Sequence, residues 1–115
     1  FKAKVKAADP NVADYRYAAE AYDATILAAL AASSAKDDGG EAIARTLQSV
    51  SEKGIKCLSY GECLDVLKTQ TDIDYDGVTG LIAFDAHGDP TSAHYGIYKY
   101  DGESRFQLST STAVG

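Results

Sequence analysis

The sequence predicts an incomplete α/β fold, with helices first and a small antiparallel strand region at the C-terminal end. Three observations point to it. Small residues recur at spacings of three and four from about Ala13 to Ser34, as on one face of a helix. After Asp74 this periodicity gives way to runs rich in aromatic and β-branched residues. The helices also carry faces that need a sheet to cover, yet the chain encodes little sheet. The missing strands are expected upstream of the sequence in hand.

Taken in order, Phe1 to Ala8 reads as the tail of a helix, with Phe1 and Val5 one turn apart. Asp9-Pro10-Asn11 ends it, because proline lacks the N–H that a helix interior requires. In the long helix that follows, Ala18, Ala21, Tyr22, Thr25, Ala28, Ala29 and Ala32 form a small-residue face. That face is expected to be buried against a helix or sheet. Ser33 to Gly40 is a polar turn. Glu41 to Ser51 is a second helix, with Ile43, Leu47 and Val50 on one side, antiparallel to the first. Tyr60 to Thr69 forms a third, with Leu64, Val66 and Leu67 apolar.

Val78 to Asp85 and Ala93 to Tyr100 read as strands, separated by a reversal at A-H-G-D-P that contains Gly88 and Pro90. Arg105 to Leu108 reads as a short third strand, and the tail S-T-S-T-A-V-G is expected to fray. This order of elements gives no complete βαβ unit.

A chain of 115 residues is at most one domain. With 45% hydrophobic and 24% charged residues it has the composition of a folded protein. Its formal net charge of −6, with Lys2, Lys4 and Lys6 the only dense basic group, excludes nucleic acid as a partner. The longest apolar tract, Ala24 to Ala32, falls well short of a membrane span. The chain begins with Phe1 and has no methionine, so its start is expected to be neither a natural initiator nor a signal peptide.

Cys57 and Cys63 lie close together in K-C-L-S-Y-G-E-C. They form either a disulfide, which would pin a loop to the next helix and place the chain in an oxidising compartment, or a reduced structural pair. Zinc fits poorly, because five intervening residues depart from the usual knuckle spacing.

Two acidic motifs invite metal readings. Asp72, Asp74, Asp76 and Gly77 match the opening of a calcium loop, but Ala83 stands where a closing glutamate is needed. Solvated turn carboxylates describe them better. Asp85, His87 and Asp89 resemble the D-A-H-x-D segment of arginase-like metal hydrolases, in which paired ions activate water. The flanking ligands of such a site are not found, and a hairpin turn is the better reading. No G-x-S-x-G or phosphate loop occurs, so no catalytic residues, cofactor or metal are expected. Among the 8 tyrosines, Tyr17 and Tyr22 at the entrance of the long helix either pack in a core or wall a ligand cleft.

Three segments together resemble a known family. E-A-Y-D-A (Glu20 to Ala24), Y-D-G-V-T-G-L-I-A-F-D-A-H-G-D-P (Tyr75 to Pro90) and A-H-Y-G-I-Y-K-Y (Ala93 to Tyr100) are similar, in order and spacing, to the type I periplasmic binding proteins of the branched-chain amino acid group. The similarity runs from about Phe1 to Leu108, and the cysteine pair ahead of the Y-D-G segment resembles actinobacterial members.

This resemblance implies part of an extracytoplasmic solute-binding protein for an ABC importer, in which two lobes close on a small, amino acid-like molecule and dock on a membrane permease. It implies that residues 1–56 carry helices of lobe one, 57–74 a cysteine-containing insert and 75–108 hinge-proximal strands. It places Tyr17 at a cleft aromatic, more polar than the phenylalanine of aliphatic binders. A ligand-sensing ectodomain of the same fold is the alternative. An isolated piece of such a fold is expected to dimerise or swap, since uncovered surfaces seek partners.

Overall fold

The computed structural model describes residues 1–69 and 72–115, so two residues of the expected segment 57–74, Gln70 and Thr71, lie outside the described residues. The chain is mixed α/β, with helices leading and an antiparallel strand pair at the C-terminal end. Helix α1 (Lys2–Ala8) buries none of its residues and ends where Asp9 turns to extended backbone before Pro10.

Helix α2 (Ala18–Ala35) begins later than the sequence spacing predicts. The reason is local: an Asp14 carboxylate oxygen accepts the Arg16 backbone N–H at 2.9 Å, and this turn competes with helical hydrogen bonding. The buried stripe also differs from the expected small-residue face. Asp23, Leu27, Leu30 and Ala31 are buried, whereas Ala21, Tyr22 and Thr25 are exposed. A leucine removes far more apolar area from water than an alanine methyl does, so the helix turns its leucines to the core.

Helix α3 (Gly40–Thr46) packs on α2 and buries Ala42. It stops short of Ser51. There the Ser49 and Ser51 hydroxyls donate to the carbonyls of Thr46 and Gln48, both at 2.9 Å, and hold a turn.

Next comes a unit that the sequence reading does not anticipate. Strand β1 (Ile55–Cys57), helix α4 (Tyr60–Thr69) and strand β2 (Ile73–Tyr75) form a complete βαβ unit, in which β1 pairs parallel to β2 with Ile55 opposite Ile73 and Cys57 opposite Tyr75. Each strand is three residues long, too short to show a two-residue alternation. The core gathers here. Leu27, Leu30 and Ala31 of α2 meet Val50, Cys57, Cys63, Ile73 and Tyr75, and Leu64, Leu67, Ile82 and Phe84 close its margin. A Cys57–Cys63 disulfide, with Cα atoms 5.2 Å apart, ties the end of β1 to the first turn of α4.

The expected strand Val78 to Asp85 is not one. Gly77 and Gly80 exchange backbone hydrogen bonds of 3.0 and 3.1 Å, closing a tight turn. The amides of Val78 and Thr79 go to a side chain instead of a neighbouring strand. Since every buried backbone donor needs a partner, this capture removes the means of forming a ladder.

The last element is a hairpin of β3 (Ala93–Tyr100) and β4 (Phe106–Val114), with a bulge between Ile97 and Tyr98. Strand β4 takes in the tail expected to fray, because each residue from Thr110 to Val114 has a partner on β3. The intervening turn is held by Asp101, whose carboxylate accepts the N–H groups of Glu103 at 2.9 Å and Arg105 at 3.0 Å. Apart from half-buried Ala93, the strands of the hairpin are exposed on both faces. The radius of gyration is 16.7 Å, against about 13 Å for a compact chain of this size, so the molecule is elongated. No described helix is long and apolar enough to cross a membrane.

Candidate functional site

The centre of the site is a carboxylate. Asp23 is the lone acidic residue on the buried stripe of α2, and only 2% of it is exposed. One of its oxygens accepts the Tyr75 hydroxyl at 2.9 Å and the Val78 N–H at 3.0 Å. The other accepts the Thr79 N–H at 2.8 Å and the Thr79 hydroxyl at 2.6 Å. Four donors thus fill both oxygens, which is how a buried carboxylate is tolerated without an adjacent cation. Gly77 permits the approach: a Cβ there would sit 2.3 Å from the Asp23 carboxylate. Burial, and then the bond to Asp23, push the Tyr75 hydroxyl well above its ordinary pKa.

This knot fixes the loop after β2 against the first turns of α2, and so sets the walls of a cavity of about 270 Å³. Phe1 and, from the first helix, Lys4, Val5 and Ala8 line it together with Tyr22 and Val78. The rings of Phe1 and Tyr22 meet edge to face, 5.5 Å between centroids. The walls are carbon-rich, and Lys4 supplies the one charged side chain among the lining residues.

Of the two candidate tyrosines, Tyr22 lines this cavity and Tyr17 does not. Five helical residues separate them, a rotation of about 140° around the axis. Tyr17 stands at the head of α2 in the left-handed region (φ 60°, ψ 5°), with 79% of it exposed. A non-glycine residue held there carries roughly 1–3 kcal/mol of strain. Its neighbour Arg16 pairs with Asp14 and lies 5.5 Å over the Phe106 ring, linking this segment to the hairpin.

The acidic motifs resolve into structural roles. Asp74 and Asp76 are not freely solvated turn carboxylates, since both flank Lys56 of β1, at 3.2 and 2.8 Å. An ammonium therefore pairs with two of the three carboxylates of the calcium-loop motif. The bond to Asp76 and then that to Asp74 raise the Lys56 pKa above its ordinary value. Asp72 is turned elsewhere, accepting the Ile73 N–H at 3.1 Å.

Asp85 accepts the backbone N–H groups of His87 at 2.8 Å and Asp89 at 3.0 Å, which shapes the reversal at Gly88 (φ 86°). Among the described residues no three His, Cys, Asp or Glu side chains converge as metal ligands. Sequence reasoning passed over Asp23 and Lys4. An acid at the head of an i, i+4, i+7 stripe with Leu27 and Leu30 was the signal available for the first.

Over residues 3–103 the chain matches the family described as the receptor family ligand binding region. It is similar to the chemotactic signal transduction system substrate-binding protein BasB of Halobacterium salinarum, with 35% identity over 81 residues. Those residues are 68% of this chain and 20% of that protein, so the chain spans about a fifth of the relative's length. No solved structure matches it.

Proposed function

We infer, from the premise that the chain belongs to the receptor ligand-binding-region family, that it is part of an extracytoplasmic protein that captures a small molecule by closing two lobes around it. The observation that carries this is the family match, which spans residues 3–103 and so takes in α2, the Asp23 knot and the loop it holds. In this mechanism the ligand favours the closed state by its greater affinity for it, and no bond is made or broken. Residues 1–56 would supply helices of lobe one, 57–74 the cysteine-containing insert and 75–108 the strands leading back through the hinge. The Cys57–Cys63 disulfide supports an oxidising location.

The finer reading is a solute-binding protein of the branched-chain amino acid group, delivering an amino acid or related compound to an ABC permease, with an actinobacterial source. Tyr22 would wall the ligand from its cavity, and Tyr17 from the exposed head of α2. A sensory role is the second reading. It is favoured by the relative, whose name assigns it to chemotactic signal transduction.

The test is calorimetric titration of the full-length protein with any compound that raises its thermal midpoint. Tyr17→Ala and Tyr22→Ala are expected to weaken binding about 10-fold each, as loss of an aromatic anchor does. Unchanged affinity in both variants would remove these tyrosines from the site.

A further inference from the structure

We propose that the cavity between α1, the first turns of α2 and the loop after β2 takes a small apolar monocarboxylate, and discriminates against the corresponding α-amino acid. The proposal deepens the small-molecule reading above and depends on it, since it names the ligand class of the cavity that Tyr22 lines.

The chemistry of the walls carries it. Phe1, Val5, Ala8, Tyr22 and Val78 offer carbon surface, and the edge-to-face pair of Phe1 and Tyr22 gives an aromatic end against which an apolar body can stack. At about 270 Å³ the cavity lies just below the roughly 300–1,000 Å³ of sites for drug-sized ligands, so the occupant is smaller.

One charged side chain lines this space. Of the three lysines on α1, Lys2 sits 5.5 Å over the Tyr15 ring and Lys6 donates to the Val12 carbonyl at 3.4 Å. Lys4 lines the cavity and forms no ion pair among the described residues. An ammonium at the edge of carbon walls recognises a carboxylate by a charge-assisted hydrogen bond.

The same cavity has no acceptor for a second, positive group. None of its lining residues is acidic. The carboxylate of Asp23, next to Tyr22 on α2, has both oxygens filled by Tyr75, Val78 and Thr79. An α-ammonium placed here would meet no acidic side chain and would share the cavity with the like charge of Lys4, which is unfavourable. The geometry therefore favours an acid that lacks the amino group.

Calorimetric titration of the full-length protein with 3-phenylpropanoate, 3-phenylpropanamide and phenylalanine tests this. The acid is expected to bind about 10-fold or more tightly than the other two. Lys4→Met should abolish that preference and Lys4→Arg should keep it. Lys4 is exposed on a helix that buries nothing, and matching thermal midpoints of the unliganded variants would verify that the fold is intact. Equal affinity for acid and amide, absence of binding by all three, or a preference that survives Lys4→Met would overturn the proposal. If another compound binds and neither Lys4→Met nor Tyr22→Ala alters its affinity, the cavity assignment falls while the solute-binding reading stands. If nothing in a broad panel binds, both fall.

Discussion

At the scale of single residues, the Asp23–Tyr75 bond joins the long helix to the second strand of the parallel pair, 52 positions apart. Replacing Tyr75 with Phe removes a hydrogen bond to a buried carboxylate, and should cost about 1.5–3 kcal/mol in a denaturant titration at neutral pH. The pH dependence follows from the direction of the shift. A phenol whose pKa is raised by folding holds its proton more tightly in the native state. Its contribution is complete below the unfolded value of about 10 and declines as pH rises beyond it. The stability gap between wild type and Tyr75→Phe should therefore narrow above that pH. A constant gap would contradict the burial of this hydroxyl against Asp23. Asp23 itself stood within E-A-Y-D-A, but its role was not legible. Its four donors come from residues 75–79, and no local pattern announces a partner so far along the chain.

At the scale of elements, length decided part of what was legible. Helix α4 and strand β3 have the bounds the sequence suggests, because ten and eight residues suffice to display a period. Strands β1 and β2, with three residues each, do not, and the βαβ unit went unseen with them. The run from Val78 to Asp85 failed differently. Its composition is that of a strand, but Asp23 and the paired glycines use its backbone groups first.

The disulfide clips this unit at the junction of β1 and α4. Its loop is short, so reduction or the double change Cys57→Ser/Cys63→Ser should lower stability by about 2 kcal/mol. Urea midpoints with and without reductant measure this. Identical midpoints would mean the bond contributes nothing to the fold.

At the scale of the molecule, the elongated shape comes from a hairpin that offers Tyr98, Tyr100, Phe106 and Leu108 to solvent on one face. A two-stranded ribbon is marginal by itself in water. In isolation this 115-residue chain is therefore expected to associate through that face. Sedimentation velocity across a concentration series should show a dimer that Phe106→Glu disperses, and a monomer at every concentration would count against it. The overall class was legible because helix patterns dominate the chain up to Thr69 and strand patterns dominate its C-terminal part. Which surfaces remain uncovered was not, since coverage depends on contacts that composition does not encode.

The most direct test of small-molecule capture is a thermal-shift panel on the full-length protein, using amino acids, their amides and apolar carboxylic acids. A cognate compound at about 100 times its dissociation constant adds roughly 2.7 kcal/mol to the folded state. Capture by lobe closure predicts a saturable rise in midpoint with one chemical class, reduced by Tyr22→Ala. A panel with no shift for any organic compound, or a shift with divalent metal ions alone, would contradict it.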